Sequence, residues 1–271
     1  MTSPASPTAA APARAANATG HFAWADLMTT DREAAIRFYA AVTGWTITFW
    51  DMGEMQYPMW TIPGAGPNAS IGGVMQMPPG DVNPPHWMLH LAVADCAAAT
   101  EKAQQLGATV LSPPQEIPTV GQFAVIRDPQ GAVLSLFASA QPMPPSAVPV
   151  GGFGWYELAT TDQAAALAFY RALVGWEATT LHDMGDGMLY QLFRRPGDDG
   201  DSGGMFTIQE SMPMPTAWVP YVRVASIQQA AAAVSANGGT LLHEIMPVPG
   251  GSRIVTATDP QGAMFALIEM P

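Results

Sequence analysis

Two acidic residues, Asp26 and Glu157, are the side chains best suited to acid–base chemistry in this sequence. They lie 131 residues apart, and each follows a tryptophan by two positions, Trp24 and Trp155. Residues two apart on a β-strand share a face, so we expect each carboxylate to lie beside its tryptophan. A carboxylate against apolar side chains has a raised pKa and can act as a general base or orient a ligand. A salt bridge or a cap at the sheet edge is the alternative role for both residues.

Other polar residues could complete a site around these carboxylates. His90 lines up with Tyr221 in the other half of the chain, and Tyr57 lines up with Tyr190. Three roles stay open for His90, namely a half-buried structural histidine, a group that contacts a ligand or exchanges protons, and a metal ligand. Arg223 shares a strand face with Tyr221 and could hold an anionic group by paired hydrogen bonds, or it could be an ordinary surface arginine.

The remaining histidines offer less. His86 and His90 are four residues apart on a predicted strand, a separation of about 13 Å, which is too far for both to bind one ion. We expect His21, His182 and His243 to be solvated surface groups.

These candidates recur in pairs because the chain is a tandem duplication. The segment Phe22–Trp45 returns as Phe153–Trp176, and the same offset is found again at later pairs such as Trp87 and Trp218, or Gly131 and Gly262. A repeat of this length is the size of one domain. We therefore predict a first domain at 21–138 and a second at 153–271. A proline-rich linker at 139–152 and a disordered tail rich in Ala and Pro at 1–20 complete the chain.

Each half is predicted to contain two units of the order βαβββ, which together indicate an α+β fold. Apolar residues at helical spacing mark the first helix, with Asp31 as its N-cap and Gly44 at its end. Asp95, Asp162 and Ser226 are the predicted caps of the other three helices. An Asp-Pro-Gln-Gly turn at 128–131, repeated at 259–262, precedes the last strand of each half.

The composition argues against several classes of protein. The 271-residue chain has a formal net charge of −12 and a pI of about 4.6, whereas proteins that bind nucleic acid or anionic membranes present a basic face. No apolar run reaches the roughly 20 residues of a membrane helix. Residues 1–20 are expected to be a tail rather than a secretory signal. The single cysteine, Cys96, is expected in the first turn of a helix, and a cytoplasmic location is expected for the protein.

The sequence resembles the vicinal-oxygen-chelate superfamily, which includes glyoxalase I, bleomycin- and fosfomycin-resistance proteins and extradiol dioxygenases. Two features carry the resemblance over nearly all of the chain after residue 21. They are the helix pattern Asp31, Phe38-Tyr39, Gly44 with its repeat Asp162, Phe169-Tyr170, Gly175, and the two Asp-Pro-x-Gly turns. The tandem form is similar to two-domain glyoxylase- and hydroxylase-like members. The resemblance implies paired βαβββ units that form two half-open barrels, or cups, that bind a small molecule, although the fold supports several chemistries.

The resemblance also implies where a metal would bind, since metal-using members place four ligands, typically His, Glu or Gln, on strands that face the cup. The matching positions are Trp24, Met59, Met88 and Ser135 in the first domain, and Trp155, Gln191, Val219 and Ala266 in the second. Tryptophan cannot ligate and methionine binds soft ions only, so only Gln191 is a ligand of the family type. We therefore expect no catalytic metal.

These observations favour a glyoxalase-like protein that binds a small, largely apolar or aromatic metabolite in one or both cups. The 17 methionines and 8 tryptophans suit such a cavity. The candidate ligand-binding residues are Trp24, Met59, Met88, Trp155, Tyr190, Gln191, Tyr221 and Arg223, and the candidate catalytic residues are Asp26, Glu157 and His90.

Two alternative functions stay open. One is a metal-dependent lyase, isomerase, dioxygenase or hydroxylase with a relocated site for zinc, nickel or iron, and the other is a drug-sequestering resistance protein. The expected partner in every case is a small molecule, with no nucleic acid or membrane, and the chain is expected to be a monomer or a homodimer.

Overall fold

The structure is a computed structural model that describes residues 19–51, 56–66, 69–141, 148–212 and 214–271. Most of the predicted tail and the middle of the predicted linker lie outside these residues.

The first half of the chain alternates strands and helices in the predicted order, twice βαβββ. Its elements are β1 (Phe22–Thr29), α1 (Arg32–Thr43), β2 (Thr46–Asp51), β3 (Gln56–Thr61), β4 (Ser70–Gln76), β5 (His86–Ala92), α2 (Cys96–Gln105), β6 (Thr109–Ile117), β7 (Gly121–Arg127) and β8 (Val133–Ser139).

The second half repeats this order, with two short strands in place of β6. Its elements are β9 (Phe153–Thr160), α3 (Gln163–Val174), β10 (Glu177–Asp183), β11 (Leu189–Arg194), β12 (Gly203–Thr207), β13 (Ala217–Arg223), α4 (Ile227–Ala236), β14 (Thr240–Leu241), β15 (Met246–Pro247), β16 (Arg253–Thr258) and β17 (Met264–Glu269). The predicted α+β class is confirmed.

Each half forms one sheet with its two units side by side. The strand order is β2-β3-β4-β1-β5-β8-β7-β6 in the first sheet and β10-β11-β12-β9-β13-β17-β16-β14 in the second, where β15 pairs with β16. In both sheets the first strands of the two units, β1 with β5 and β9 with β13, pair antiparallel at the centre. The side chains of these two strands therefore meet across the join between the units.

The helices begin and end where the sequence predicts. Asp31 and Asp162 each accept a hydrogen bond at 2.9 Å from the backbone nitrogen three residues further on, which satisfies one of the free N–H groups of a helix start. Gly44 and Gly175 end α1 and α3 with φ of 77° and 84°, a left-handed conformation that glycine adopts without strain.

Each sheet has one face covered by helices and one open face. On β1, Ala25 and Leu27 are fully buried on the helix side, whereas Trp24 and Asp26 are only half-buried on the other side. Side chains alternate between the two faces along a strand. Buried apolar residues therefore alternate with polar residues that lie on the uncovered face. We call the uncovered faces of the eight- and nine-stranded sheets the first and second open faces.

The main hydrophobic core lies between the two sheets and joins the domains. Helix α1 packs on α4, and α2 packs on α3, so each helix pair joins one helix from each half. Phe265 of the second domain contacts both Phe38 and Tyr39 of α1, with ring centroids 5.9 and 5.2 Å apart. Aromatic contacts of this kind add to the stabilisation that comes from burial.

Reciprocal hydrogen bonds reinforce this core. The hydroxyl of Tyr39 donates to Asp259 at 3.3 Å, and that of Tyr170 donates to Asp128 at 2.9 Å. Each aspartate opens the Asp-Pro-Gln-Gly turn of the opposite domain. The repeated Phe-Tyr pattern and the repeated turn therefore meet across the domain interface.

The indole groups at the ends of α1 and α3 make a second reciprocal pair. Trp45 donates to the carbonyl oxygen of Gly151 at 2.7 Å, and Trp176 donates to that of Gly20 at 2.6 Å. Gly20 and Gly151 lie just before the first strand of their own domain. Each domain thus anchors the chain segment that enters the other.

None of the helices in the described ranges combines the length and apolar character needed to cross a membrane.

Candidate functional site

The first open face carries a connected group of four polar and aromatic residues. The carboxylate of Asp26 accepts at Oδ1 from the Tyr57 hydroxyl and, at 3.3 Å, from the indole nitrogen of Trp24. The same indole donates to the Tyr57 oxygen at 2.8 Å. The other carboxylate oxygen, Oδ2, lies 3.0 Å from Nε2 of His90. We call these four residues the Asp26 cluster.

Cross-strand pairing brings the cluster together. Trp24 lies directly opposite His90 in the β1–β5 pair, and Asp26 lies opposite Met88. Tyr57 reaches the carboxylate from β3 across Gly73 of β4, where a side chain would collide with both the Tyr57 hydroxyl and Asp26. Only glycine leaves room for this contact.

The cluster remains accessible. The side chains of Asp26 and His90 are 17% and 13% exposed, respectively. Burial and then the negative charge of Asp26 raise the pKa of Tyr57 well above its ordinary value, so its hydroxyl stays protonated and donates.

Methionines surround the cluster on the first open face. Met28, Met59, Met75 and Met88 are all half-buried, and each lies in register beside another residue of this face. Trp50 lies opposite Tyr57, with the two rings edge-to-face at 6.5 Å. Thioether and indole groups form an adaptable apolar surface that suits flat organic molecules.

The second open face carries a related but different group. The Trp155 indole donates to the Tyr190 oxygen at 3.0 Å, and the Tyr190 hydroxyl donates to Glu157 at 2.8 Å. Tyr221 occupies the position of His90, opposite Trp155, and its hydroxyl also interacts with Glu157. Burial raises the pKa of the Glu157 carboxyl, and hydrogen bonds from the two tyrosines oppose part of that rise.

Apolar side chains fill the second open face. Val219, Tyr221, Ala266 and Ile268 are at most 5% exposed and form a cluster separate from the main core. Among the described residues of the first domain, the open face has no such buried cluster. The two copies therefore differ at the position shared by His90 and Tyr221, where the histidine is half-buried and the tyrosine is buried.

The sequence did not indicate one connection on the second face. Nε2 of His243 accepts from the Thr256 backbone N–H at 3.0 Å and lies 3.1 Å from its hydroxyl, while Nδ1 contacts the Glu244 carbonyl at 2.7 Å. Thr256 in turn interacts with Tyr221. The expectation of a solvated His243 is wrong, because its ring is half-buried and hydrogen-bonded at both nitrogens. Thr256 is replaced by Val125 at the matching position of β7, so the repeat gave no indication of this contact.

Two other candidates lie away from these groups. Gln191 does not occupy the position that matches Met59. Met59 lies opposite Gly73, and the residue opposite the equivalent Gly204 is Leu192, one position further on. The Gln191 amide instead donates to the carbonyl oxygens of Thr180 and Leu192.

Arg223 and Tyr221 have different partners, since the Arg223 guanidinium donates to the Val148 carbonyl at 2.8 Å and the Tyr221 hydroxyl interacts with Glu157. His182, expected at the surface near a turn, is half-buried within β10, where it pairs with Tyr190.

Replacing Glu157 by glutamine will change how stability depends on pH. A raised folded-state pKa means that the folded protein holds the Glu157 proton more tightly than the unfolded chain. The wild type therefore loses stability as the pH rises from the ordinary value of 4.5 through the raised value. The variant cannot lose this proton, so its stability relative to the wild type will rise across that window by about 1.4 kcal/mol for each unit of the pKa shift.

Urea unfolding of both proteins over a series of pH values measures this difference, and the exposed residue Glu116 supplies a matched Glu→Gln control. A difference that stays flat, or that shrinks as the pH rises, would show that burial does not govern the titration of Glu157.

Two family models match the chain, one in each half. Residues 24–137 match a model described as a glyoxalase-like domain, and residues 152–267 match one described as the glyoxalase/bleomycin resistance protein/dioxygenase superfamily. The chain belongs to the glyoxalase/bleomycin resistance protein/dioxygenase superfamily. The resemblance drawn from the sequence motifs is confirmed, and so is the tandem arrangement.

Relatives of this glyoxalase-superfamily chain carry two kinds of name. "Putative glyoxylase CFP32" of Mycobacterium tuberculosis is 39% identical over 124 residues, which are 46% of this chain and 46% of the relative. The match thus spans about half the length of that relative. "Anthracycline biosynthesis protein DnrV" of Streptomyces peucetius is 27% identical over 267 residues, which are 93% of this chain and 94% of the relative.

Solved structures share the superfamily fold at low sequence identity. The Mn(II)-bound glyoxalase from Novosphingobium aromaticivorans has a TM-score of 0.65 at 15% identity, covering 93% of this chain and 82% of that one. The 2,2',3-trihydroxybiphenyl 1,2-dioxygenase from Sphingomonas wittichii has a TM-score of 0.65 at 13% identity, covering 93% and 90%. These likenesses show the fold alone.

One of these neighbours is named as Mn(II)-bound, so the residues present in this chain are compared with the needs of a divalent metal site. Structural and catalytic divalent sites take three or four nitrogen, oxygen or sulfur ligands from the protein. Asp26 and His90 are two residues of ligand type, but they bind each other, and their neighbours are an indole, a phenol and thioethers. Within the described ranges no three His, Cys, Asp or Glu side chains come together. The donor set therefore does not fit a catalytic divalent ion.

Proposed function

We propose that this glyoxalase-like protein binds a small, largely apolar or aromatic metabolite on the first open face, and that it does so without a catalytic metal. The observation that carries the proposal is the accessible Asp26 cluster within a surface of four half-buried methionines. A few polar groups within a mainly apolar lining are typical of small-molecule sites.

The apolar and the polar residues of this face would contact different parts of the ligand. Trp24 and Trp50 offer flat aromatic surfaces, and the methionines adapt to the outline of the ligand. Asp26 and His90 supply the polar end, where an imidazole held by a carboxylate can bind a ligand's polar group or exchange a proton with it.

A relative of nearly full length suggests the ligand class. DnrV is named for anthracycline biosynthesis and matches 93% of this chain. A planar, polycyclic aromatic compound fits a surface of tryptophan and methionine side chains. We therefore propose compounds of this shape as the ligands.

Titration of the purified full-length protein with daunorubicin, a fluorescent anthracycline, tests the proposal. We expect saturable binding at one site per chain. Gly73→Ala will abolish it, because the new methyl group displaces Tyr57 and Asp26. Gly204→Ala is the matched control, since it crowds Tyr190 at the equivalent place on the second open face and will leave binding intact. Absence of saturable binding, or loss on Gly204→Ala alone, would overturn the proposal.

A metal-dependent lyase, isomerase, dioxygenase or hydroxylase is the second candidate, favoured by neighbours of the same fold that are named as a Mn(II)-bound glyoxalase and a dioxygenase. Native mass spectrometry on protein purified without chelator separates the two candidates. A bare chain or an organic adduct supports the proposal. One equivalent of a transition metal, with turnover lost on chelation and restored by Ni²⁺, Zn²⁺ or Fe²⁺, would establish the alternative. Release of a bound drug unchanged would indicate the third possibility, a sequestering resistance protein.

A further inference from the structure

We infer that the first open face recognises an aromatic hydroxyl group, which donates a hydrogen bond to Nδ1 of His90. This inference rests on the proposed function and names the chemical group that the site selects.

The hydrogen bonds of the Asp26 cluster lead to this atom. Oδ1 of Asp26 already accepts from Tyr57 and Trp24, and Oδ2 is engaged by Nε2 of His90. The Tyr57 hydroxyl accepts from Trp24 and donates to Asp26, so its proton is also engaged. In the part of the chain that the structure describes, Nδ1 of His90 is the polar atom of the cluster without a protein partner.

The contact with Asp26 sets the character of that atom. A carboxylate oxygen accepts, so Nε2 carries the proton that faces it, and in the neutral imidazole the other nitrogen then presents a lone pair. A ligand bound at Nδ1 must therefore offer a hydrogen. A phenol does so, whereas an aryl ether of the same shape does not.

The other polar groups on this face lie outside the Asp26 cluster. Nδ1 of His86 lies 2.8 Å from the Pro84 carbonyl. The Ser135 hydroxyl, opposite His90 on β8, is fully buried and donates to the Leu136 carbonyl at 3.4 Å. The His90 ring stands edge-to-face with Phe137 at 6.3 Å, which helps to fix its orientation.

The second open face lacks the histidine that we infer to accept the hydrogen bond. Tyr221 replaces His90, is 1% exposed and turns its hydroxyl to Glu157. The second face thus presents no free acceptor at this position, which predicts one hydroxyl-selective site per chain rather than two.

Binding of 2-naphthol and 2-methoxynaphthalene to the full-length protein, followed by ligand fluorescence, tests the inference. The two molecules share their ring system and differ in the ability to donate. We expect the wild type to bind 2-naphthol at least about tenfold more tightly, in line with the rejection of a ligand that leaves a site's polar group unpaired. His90→Phe will bind both compounds equally. Tyr221→Phe, the matched change on the second face, will keep the wild-type preference.

Asp26→Asn is the decisive variant, because it changes which nitrogen of the His90 imidazole carries the proton. The amide can donate to Nε2, which moves the imidazole proton to Nδ1, so the preference for 2-naphthol will disappear or reverse while 2-methoxynaphthalene still binds. Equal binding of the two compounds by the wild type overturns this inference and leaves the proposed function standing. A preference retained in both His90→Phe and Asp26→Asn also overturns it. Binding of neither compound overturns the inference together with the proposed function.

Discussion

Residues 19–141, expressed without the second domain, will fail to form a stable monomeric fold. The helices of this half face those of the other half, so separation exposes Phe38 and Tyr39 together with the apolar face around them. The Tyr39 hydroxyl loses Asp259, and the Trp45 indole loses the Gly151 carbonyl. A buried polar group without a partner costs about 1–3 kcal/mol, and the lost apolar contacts add to that cost.

Circular dichroism and size-exclusion chromatography of the fragment measure this outcome, and fragment 148–271 serves as its counterpart. Co-expression of the two fragments will restore a soluble complex, because the interface does not need a continuous chain. A fragment that unfolds cooperatively by itself, with native near-ultraviolet dichroism, would show that each domain is stable alone and that the shared core is dispensable.

Replacing Trp176 by alanine will lower the free energy of unfolding by about 3–5 kcal/mol, the range for truncating a buried aromatic side chain. The Trp176 ring is fully buried and stacks on Phe193 at 4.1 Å and on Tyr170 at 4.9 Å. Its indole nitrogen also donates a hydrogen bond to the carbonyl oxygen of Gly20, just before the first strand of the first domain. The loss will shift one unfolding transition of the whole chain, because the damage reaches both domains.

Trp176→Phe separates the two contributions. It keeps most of the stacking and removes the hydrogen bond to Gly20, so its cost will be much smaller than that of alanine. Trp45→Ala, the equivalent change in α1's domain, will match Trp176→Ala closely, since Trp45 is equally buried and binds Gly151. Chemical unfolding monitored at several wavelengths provides the values. Two separate transitions in Trp176→Ala, or a cost below about 1 kcal/mol, would contradict this account.

The elements of the fold could be predicted because their signals are local. Caps such as Asp31 and helix ends such as Gly44 act within a few residues, and the apolar spacing of Phe38, Tyr39 and Val42 marks one helix face. The duplication then supplied each prediction twice, so a weak signal in one half could be checked in the other.

The candidate site was only partly predictable. Asp26 and His90 were separate candidates, and their contact depends on the pairing of strands whose residues lie 64 positions apart. Gln191 illustrates the limit, since an error of one residue moves a side chain to the opposite face of a sheet. The partners of Tyr39 and Tyr170 lie in the other domain, and no local pattern indicates such contacts.

The division of each sheet into a covered face and an open face also bears on how such a protein can change over time. Substitutions at Trp24, Asp26 or His90 alter the proposed binding face without touching the layer that holds the domains together, and substitutions at Glu157 or Tyr221 likewise alter only the second open face. The two equivalent faces can therefore diverge in their chemistry while the hydrophobic core between the sheets stays the same. One has a half-buried histidine beside its carboxylate, and in the other the carboxylate is hydrogen-bonded to two phenols.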